Sequence, residues 1–139
     1  MKRVLGELQM KSGNWSPRQV LGTISNAKSQ LLGPDEYAAM ARDFFTRTIA
    51  KVYEKYQQAL RAANAVDFDD LLLMTVRLLR ECEAAAGGGA GARWKYLMID
   101  EYQDTNRAQF QLASLVVRSE QGRAPNVCVV GDPDQSIYG

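Results

Sequence analysis

The sequence predicts a mainly α-helical chain that finishes in a short βαβ segment, and three observations lead there. From Met1 to Glu83 the apolar residues recur every three or four positions, the spacing of a buried helix face. From Ala84 to Ala92 an alanine and glycine stretch replaces that pattern. Beyond it two apolar runs, Tyr96-Leu97-Met98-Ile99 and Val127-Cys128-Val129-Val130, each break into a polar cluster, with helical spacing between them. The divisions expected are therefore a helical part over 1–83, a flexible surface loop over 84–94 and a strand-bearing part over 95–139.

In chain order, Val4, Leu5 and Leu8 form one side of a first helix, which Lys11-Ser12-Gly13-Asn14 breaks. Ser16 followed by Pro17 reads as an N-cap with proline at the first helical position, and Val20, Leu21, Ile24, Ala27 and Leu31 continue at helical spacing as far as Gly33-Pro34. Lys28 falls on the exposed side of this helix, as a phosphate contact or a plain surface lysine. From Pro34 to Ala65 nothing interrupts a stripe that includes Tyr37, Phe44, Phe45, Ile49, Val52, Tyr53 and Tyr56. That predicts one helix of about 30 residues, roughly 45 Å long, with the aromatics in the core rather than stacked on bases. Asp67, Asp69 and Asp70 open the next helix, whose inward positions are Leu71, Leu72, Thr75, Val76 and Leu79. Aspartates at a helix start satisfy free backbone N–H groups, and capping is preferred here to a metal site.

With 139 residues, 46% hydrophobic and 24% charged, the chain has the make-up of one globular domain. No apolar run approaches the ~20 residues of a membrane span, and the start lacks the features of a secretory signal. Cys82 and Cys128 stand in a chain without histidine. They are expected to be buried free thiols, in keeping with a reducing, cytoplasmic setting. The net charge of +1 points to no partner. Its distribution is uneven, since Lys2, Arg3, Lys11, Arg18 and Lys28 face only Glu7 over 1–33. Such a stretch suits phosphates or is an ordinary solvated surface.

Tyr96 to Ile99 reads as a strand buried on both faces that ends at Asp100-Glu101, the look of a Walker B element. In such an element one carboxylate serves Mg²⁺ and the next an attacking water. An acidic pair also ends strands simply to meet solvent and to cap the next turn. After Thr105-Asn106, a helix start, Ala108, Leu112, Leu115 and Val116 share one face, and the second apolar run ends in Gly131-Asp132-Pro133-Asp134-Gln135-Ser136. Strand, helix, strand in this space makes the strands parallel, so both polar clusters lie at the carboxyl edge where α/β sheets bind ligands.

Asp100-Glu101-Tyr102-Gln103-Asp104-Thr105-Asn106 resembles motif II of the UvrD/Rep-like superfamily I DNA helicases, and Gly131-Asp132-Pro133-Asp134-Gln135-Ser136-Ile137-Tyr138 resembles their motif III. The resemblance implies a 3′-to-5′ ATP-driven DNA translocase as parent, with single-stranded and 3′-tailed duplex DNA and the rest of the helicase chain as partners, and ATP with Mg²⁺ as cofactors. It implies that Asp100 serves Mg²⁺ through water, that Glu101 serves the hydrolytic water and that Gln135 senses the γ-phosphate and couples it to DNA. Gln103, Asp104 and Asp132 belong to the same nucleotide edge, and Tyr138 to the single-stranded DNA path. Thr23-Ile24-Ser25-Asn26-Ala27-Lys28 also resembles the family and favours DNA contact for Lys28. Asp-Phe-Asp-Asp-Leu-Leu, from Asp67, resembles the segment that returns from a helical insertion to the motor domain. On this resemblance the helical part is the insertion called domain 1B, and the βαβ part belongs to the RecA-like domain 1A.

No Gly-Lys-Thr or Gly-Lys-Ser phosphate loop occurs in the sequence, and it stops at Gly139 inside motif III. The expectation is a piece of a larger helicase that is inactive on its own, with sheet faces and edges left unpaired. Two other readings stand beside it, a DNA-binding or scaffolding module without catalysis and part of a helicase-nuclease subunit.

Overall fold

The structure, a computed structural model, describes residues 1–8, 10, 15–85, 94–117 and 126–136. It is mostly helical, as expected, and divides into two compact units, Met1–Leu71 and Leu72–Gly139. Most of the predicted Ala/Gly loop, residues 86–93, lies outside the described residues. Among the described residues no helix is long and apolar enough to cross a membrane.

In the first unit α1 (Lys2–Glu7), α2 (Pro17–Ser29) and α3 (Pro34–Met40) all pack on α4 (Phe44–Ala62). Their spacing explains the arrangement: Val4 and Leu5, then Val20, Ile24 and Ala27, then Ile49, Val52 and Tyr53 meet in one buried cluster. Fully burying an aliphatic side chain is worth about 1.5–3 kcal/mol, so the α4 triplet is the anchor of this unit. The Tyr53 hydroxyl, buried with its ring, donates to the Leu32 carbonyl at 3.0 Å. Ser16 is the N-cap of α2 with Pro17 in its first turn, although the serine side chain makes no cap hydrogen bond.

The single long helix expected from Pro34 to Ala65 is two. Ala41 and Asp43 are extended, and Asp43 starts α4 with a reciprocal cap: its carboxylate accepts from the Thr46 amide at 2.8 Å, while the Thr46 hydroxyl accepts from the Asp43 amide at 3.2 Å. The cap satisfies amides at the start of α4, which makes a break between helices cheap without glycine or proline. At 19 residues α4 is therefore ~28 Å long. The break also turns part of the aromatic stripe outward. Phe44 is 81% exposed, whereas Phe45, half exposed, stacks on Trp15 with ring centroids 5.3 Å apart.

The helix α5 (Phe68–Ala85) begins in the first unit and continues into the second, where Leu73 and Val76 are buried. Leu73 was not among the inward positions expected, and Leu71 is exposed. In the second unit β1 (Tyr96–Ile99) and β2 (Asn126–Val129) pair in parallel, with Tyr96 opposite Asn126 and Ile99 opposite Val129. Between them α6 (Arg107–Val116) starts at Asn106 with another reciprocal cap, to Gln109, and buries Ala108.

The strands are not buried on both faces. Tyr96 and Met98 are about three-quarters exposed and every residue of β2 is exposed, while Leu97 and Ile99 are half-buried beside Leu112 and Val116 of α6. Among the described residues α6 shields one side of β1 and nothing shields the other. For the same reason Cys128 is an exposed thiol, not a buried one; Cys82, on the outward side of α5, is exposed as well.

Candidate functional site

The carboxyl ends of β1 and β2 hold the two polar clusters side by side. Two backbone bonds carry the strand pairing into the loops: the Val130 amide donates to the Ile99 carbonyl at 2.8 Å, and the Tyr102 amide to the Val130 carbonyl at 3.0 Å. Past Ile99 the chain turns at once. The Asp100 carboxylate accepts from the Glu101 amide at 2.9 Å, and Glu101 takes a left-handed conformation, φ 52° and ψ 41°. A single 3₁₀ turn, Tyr102–Asp104, comes next. A left-handed backbone at a glutamate is uncommon, and here it swings the chain out of the strand within one residue of the sheet edge.

Gln103 stands between the clusters. Its Nε2 donates to Glu101 Oε2 at 2.6 Å and its Oε1 accepts from the Asp132 amide at 3.0 Å. Gly131 makes this approach possible, because a Cβ there would lie 2.5 Å from Gln103 Oε1 and 3.1 Å from the Tyr102 nitrogen. The Asp132 carboxylate then caps the Pro133–Gln135 turn, accepting from the Asp134 amide at 2.9 Å and from Gln135 Nε2 at 2.7 Å. Asp100, Glu101, Gln103, Asp132 and Gln135 thus share one edge.

Asp104 ends the Tyr102–Asp104 turn. With Asp100, Glu101, Thr105 and Gln109 it lines a cavity of about 510 Å³ whose apolar wall includes Leu97, Ile99, Leu112 and Val116. Asp104 Oδ1 is buried and has no hydrogen-bond partner. Among the described residues no three His, Cys, Asp or Glu side chains converge as a metal-holding group, so a Mg²⁺ at this edge would rest on one or two carboxylates together with water and nucleotide oxygens. The sequence offers no Gly-Lys-Thr or Gly-Lys-Ser loop to cradle phosphates beside it. The role of Gly131 is not visible in the sequence, although the residue stands in the motif III string; only the close approach of Gln103 reveals that a side chain there would displace the amide.

Tyr138 and Lys28 are the two residues expected to meet DNA. Tyr138 lies outside the described residues. Lys28 is not on an exposed face: its ammonium is fully buried in the first unit, 2.6 Å from Asp67 Oδ2 and 2.8 Å from Asp70 Oδ1. The Tyr56 hydroxyl donates to Asp67 and Gln57 Nε2 to Asp70, each at 3.0 Å. Asp67 and Asp70 also cap α5 reciprocally, the Asp70 amide donating to Asp67 Oδ1 at 2.8 Å and the Asp67 amide to Asp70 Oδ2 at 3.3 Å. The aspartates are therefore capping groups, as expected, and Lys28 is their counter-charge. Burial opposes the charge on Asp67, but the hydrogen bonds from Lys28 and the Asp70 amide hold its pKa below the usual carboxylate value. Burial and the hydrogen bond to Asp67 push the Tyr56 hydroxyl well above its ordinary value.

Comparison with known families matches residues 1–139 to the UvrD/REP helicase N-terminal domain. Among individual proteins, the chain is 42% identical over 139 residues to the ATP-dependent DNA helicase PcrA of Leuconostoc citreum. It is 38% identical over 138 residues to the PcrA of Bacillus subtilis, and 39% identical over 139 residues to that of Staphylococcus epidermidis. These matches cover 99–100% of this chain and 18% of each relative's length. The match over the whole chain, together with both motifs on one sheet edge, makes this chain a member of the UvrD/REP helicase family, within its N-terminal domain.

Proposed function

We propose that this chain is the part of an ATP-driven, 3′-to-5′ DNA helicase that supplies the hydrolytic edge of the motor, with residues 1–83 as the 1B-type insertion and 95–139 as part of the RecA-like domain 1A. The observation that carries the reading is the hydrogen-bonded junction of the two motifs: Glu101 and Gln135, whose roles differ, hang from adjacent strand ends and are tied together through Gln103 and Asp132. In this reading Asp100 would hold Mg²⁺ through water, and the metal would supply charge neutralisation at the phosphates. Glu101 orients the attacking water and takes its proton. Gln135 meets the γ-phosphate, and Tyr138 lies along the single-stranded DNA. Single-stranded and 3′-tailed duplex DNA are the proposed substrates, in the cytoplasm, and the similarity to ATP-dependent DNA helicases supports the class. Lys28 is assigned an internal role, bracing the start of α5, because its ammonium has two carboxylates within 2.8 Å and no exposure.

The test is Glu101→Gln in the full-length protein that carries this chain. ATP binding is expected to persist while hydrolysis slows by about 10²–10⁴-fold, the usual contribution of a positioned general base. Unchanged hydrolysis would refute the role of Glu101 and with it this reading of the edge.

A further inference from the structure

We infer that Gln103 is a positioning residue that sets the Glu101 carboxylate against the Asp132–Gln135 turn, so that the groups proposed for the water and for the γ-phosphate respond as one unit. The inference rests on the function proposed above and adds a residue and a linkage to it. The chain of contacts is continuous: Gln103 Nε2 to Glu101 at 2.6 Å, the Asp132 amide to Gln103 Oε1 at 3.0 Å, and Gln135 Nε2 to Asp132 at 2.7 Å.

The chemistry selects an amide. Glu101 offers an acceptor and the Asp132 backbone a donor, so the residue between them must donate at one end and accept at the other. A carboxylate in its place accepts from Asp132 but repels Glu101, and an apolar isostere does neither. Asparagine has the right polarity and is one methylene too short to span the same gap. Gly131 leaves room for this amide, since a Cβ there would lie 2.5 Å from Gln103 Oε1 and the amide would have to shift. Glu101 is itself exposed and sits in a left-handed turn, so its own packing does little to fix the carboxylate. A shift of the motif III turn on meeting phosphate therefore moves the Gln103 amide and, through it, the carboxylate.

The experiment uses the full-length protein carrying this chain, with DNA-stimulated steady-state ATP hydrolysis and separate binding of a fluorescent ATP analogue. Gln103→Leu is expected to lower kcat by about 10–100-fold, as loss of an orienting partner does, with KM and analogue affinity within about threefold. Gly131→Ala, which displaces the same amide without removing it, is expected to act on kcat in the same way. Combined with Glu101→Gln, Gln103→Leu is expected to add no further loss, because a positioning residue has nothing left to position. Losses that multiply in the double variant, or a loss confined to analogue affinity, would overturn the inference. So would a Gln103→Leu protein with kcat within twofold of the parent while Glu101→Gln abolishes turnover; that outcome leaves the proposed function standing. If Glu101→Gln itself keeps full activity, the proposed function falls and the inference with it.

Discussion

Lys28 illustrates how much one side chain can decide. A lysine at the exposed edge of a basic stretch would be worth little to stability, but this one is buried between Asp67 and Asp70 and under the Tyr56 ring, 5.2 Å from its centroid. Removing one partner of a buried pair strands the other charge, and Asp70 is only 1% exposed. Lys28→Met is therefore expected to cost about 3–5 kcal/mol, read as a lower urea midpoint with an unchanged slope. A midpoint shift within the scatter of surface lysine variants would show that the carboxylates find other partners. The same site gives a pH dependence whose sign is fixed. Asp67 is more acidic folded than unfolded, so the unfolded state takes up the proton first as pH falls. Its contribution is full above the unfolded value of about 3.9 and is lost as pH drops through the lower folded one. Asp67→Asn should be less stable at pH 7 and less sensitive to acid below pH ~4, as measured by urea unfolding across that window.

At the level of elements, caps decide where helices begin. Asn106 ties α6 to the end of the Tyr102–Asp104 turn through Gln109, and Leu112 and Val116 of α6 form part of the apolar wall of the cavity beside Asp104. Asn106→Ala is expected to cost about 1 kcal/mol by thermal unfolding, and Asn106→Asp much less, since a carboxylate accepts the same amide. This cap is readable in the sequence because Thr105-Asn106 comes just after an unmistakable strand end. Asp43-Phe44-Phe45-Thr46 carries an equally good cap and reads as mid-helix, because apolar spacing runs unbroken through it and capping chemistry is short-range. The sheet edge is legible for a different reason: two apolar runs ending in polar clusters with a helix between them leave one parallel arrangement, and that arrangement is observed. The burial of Lys28 is not legible, since it depends on aspartates about 40 positions away, Asp67 being 39 residues on. Nor is the exposure of Tyr96 and Met98, because strand composition reports what a face suits and not what lies against it.

For the molecule as a whole, the chain spans 18% of the length of the relatives it matches, and the groups proposed for hydrolysis occur without a Gly-Lys-Thr or Gly-Lys-Ser loop in the same sequence. Phosphoryl transfer draws on positioning and charge stabilisation together, so on the function proposed the carboxylates are not expected to act without a phosphate-binding loop beside them. The exposed faces of β1 and β2 point the same way: Met98, Val127 and Val129 are each more than two-fifths exposed, surface that an α/β sheet ordinarily covers. The 139-residue chain alone is therefore expected to release phosphate from ATP at the background rate, with or without DNA, and Glu101→Gln should change nothing. The same substitution in the full-length protein should remove nearly all turnover. A phosphate-release assay run on both pairs separates the contributions. Turnover by the short chain that vanishes with Glu101→Gln would mean that these residues hold the nucleotide unaided.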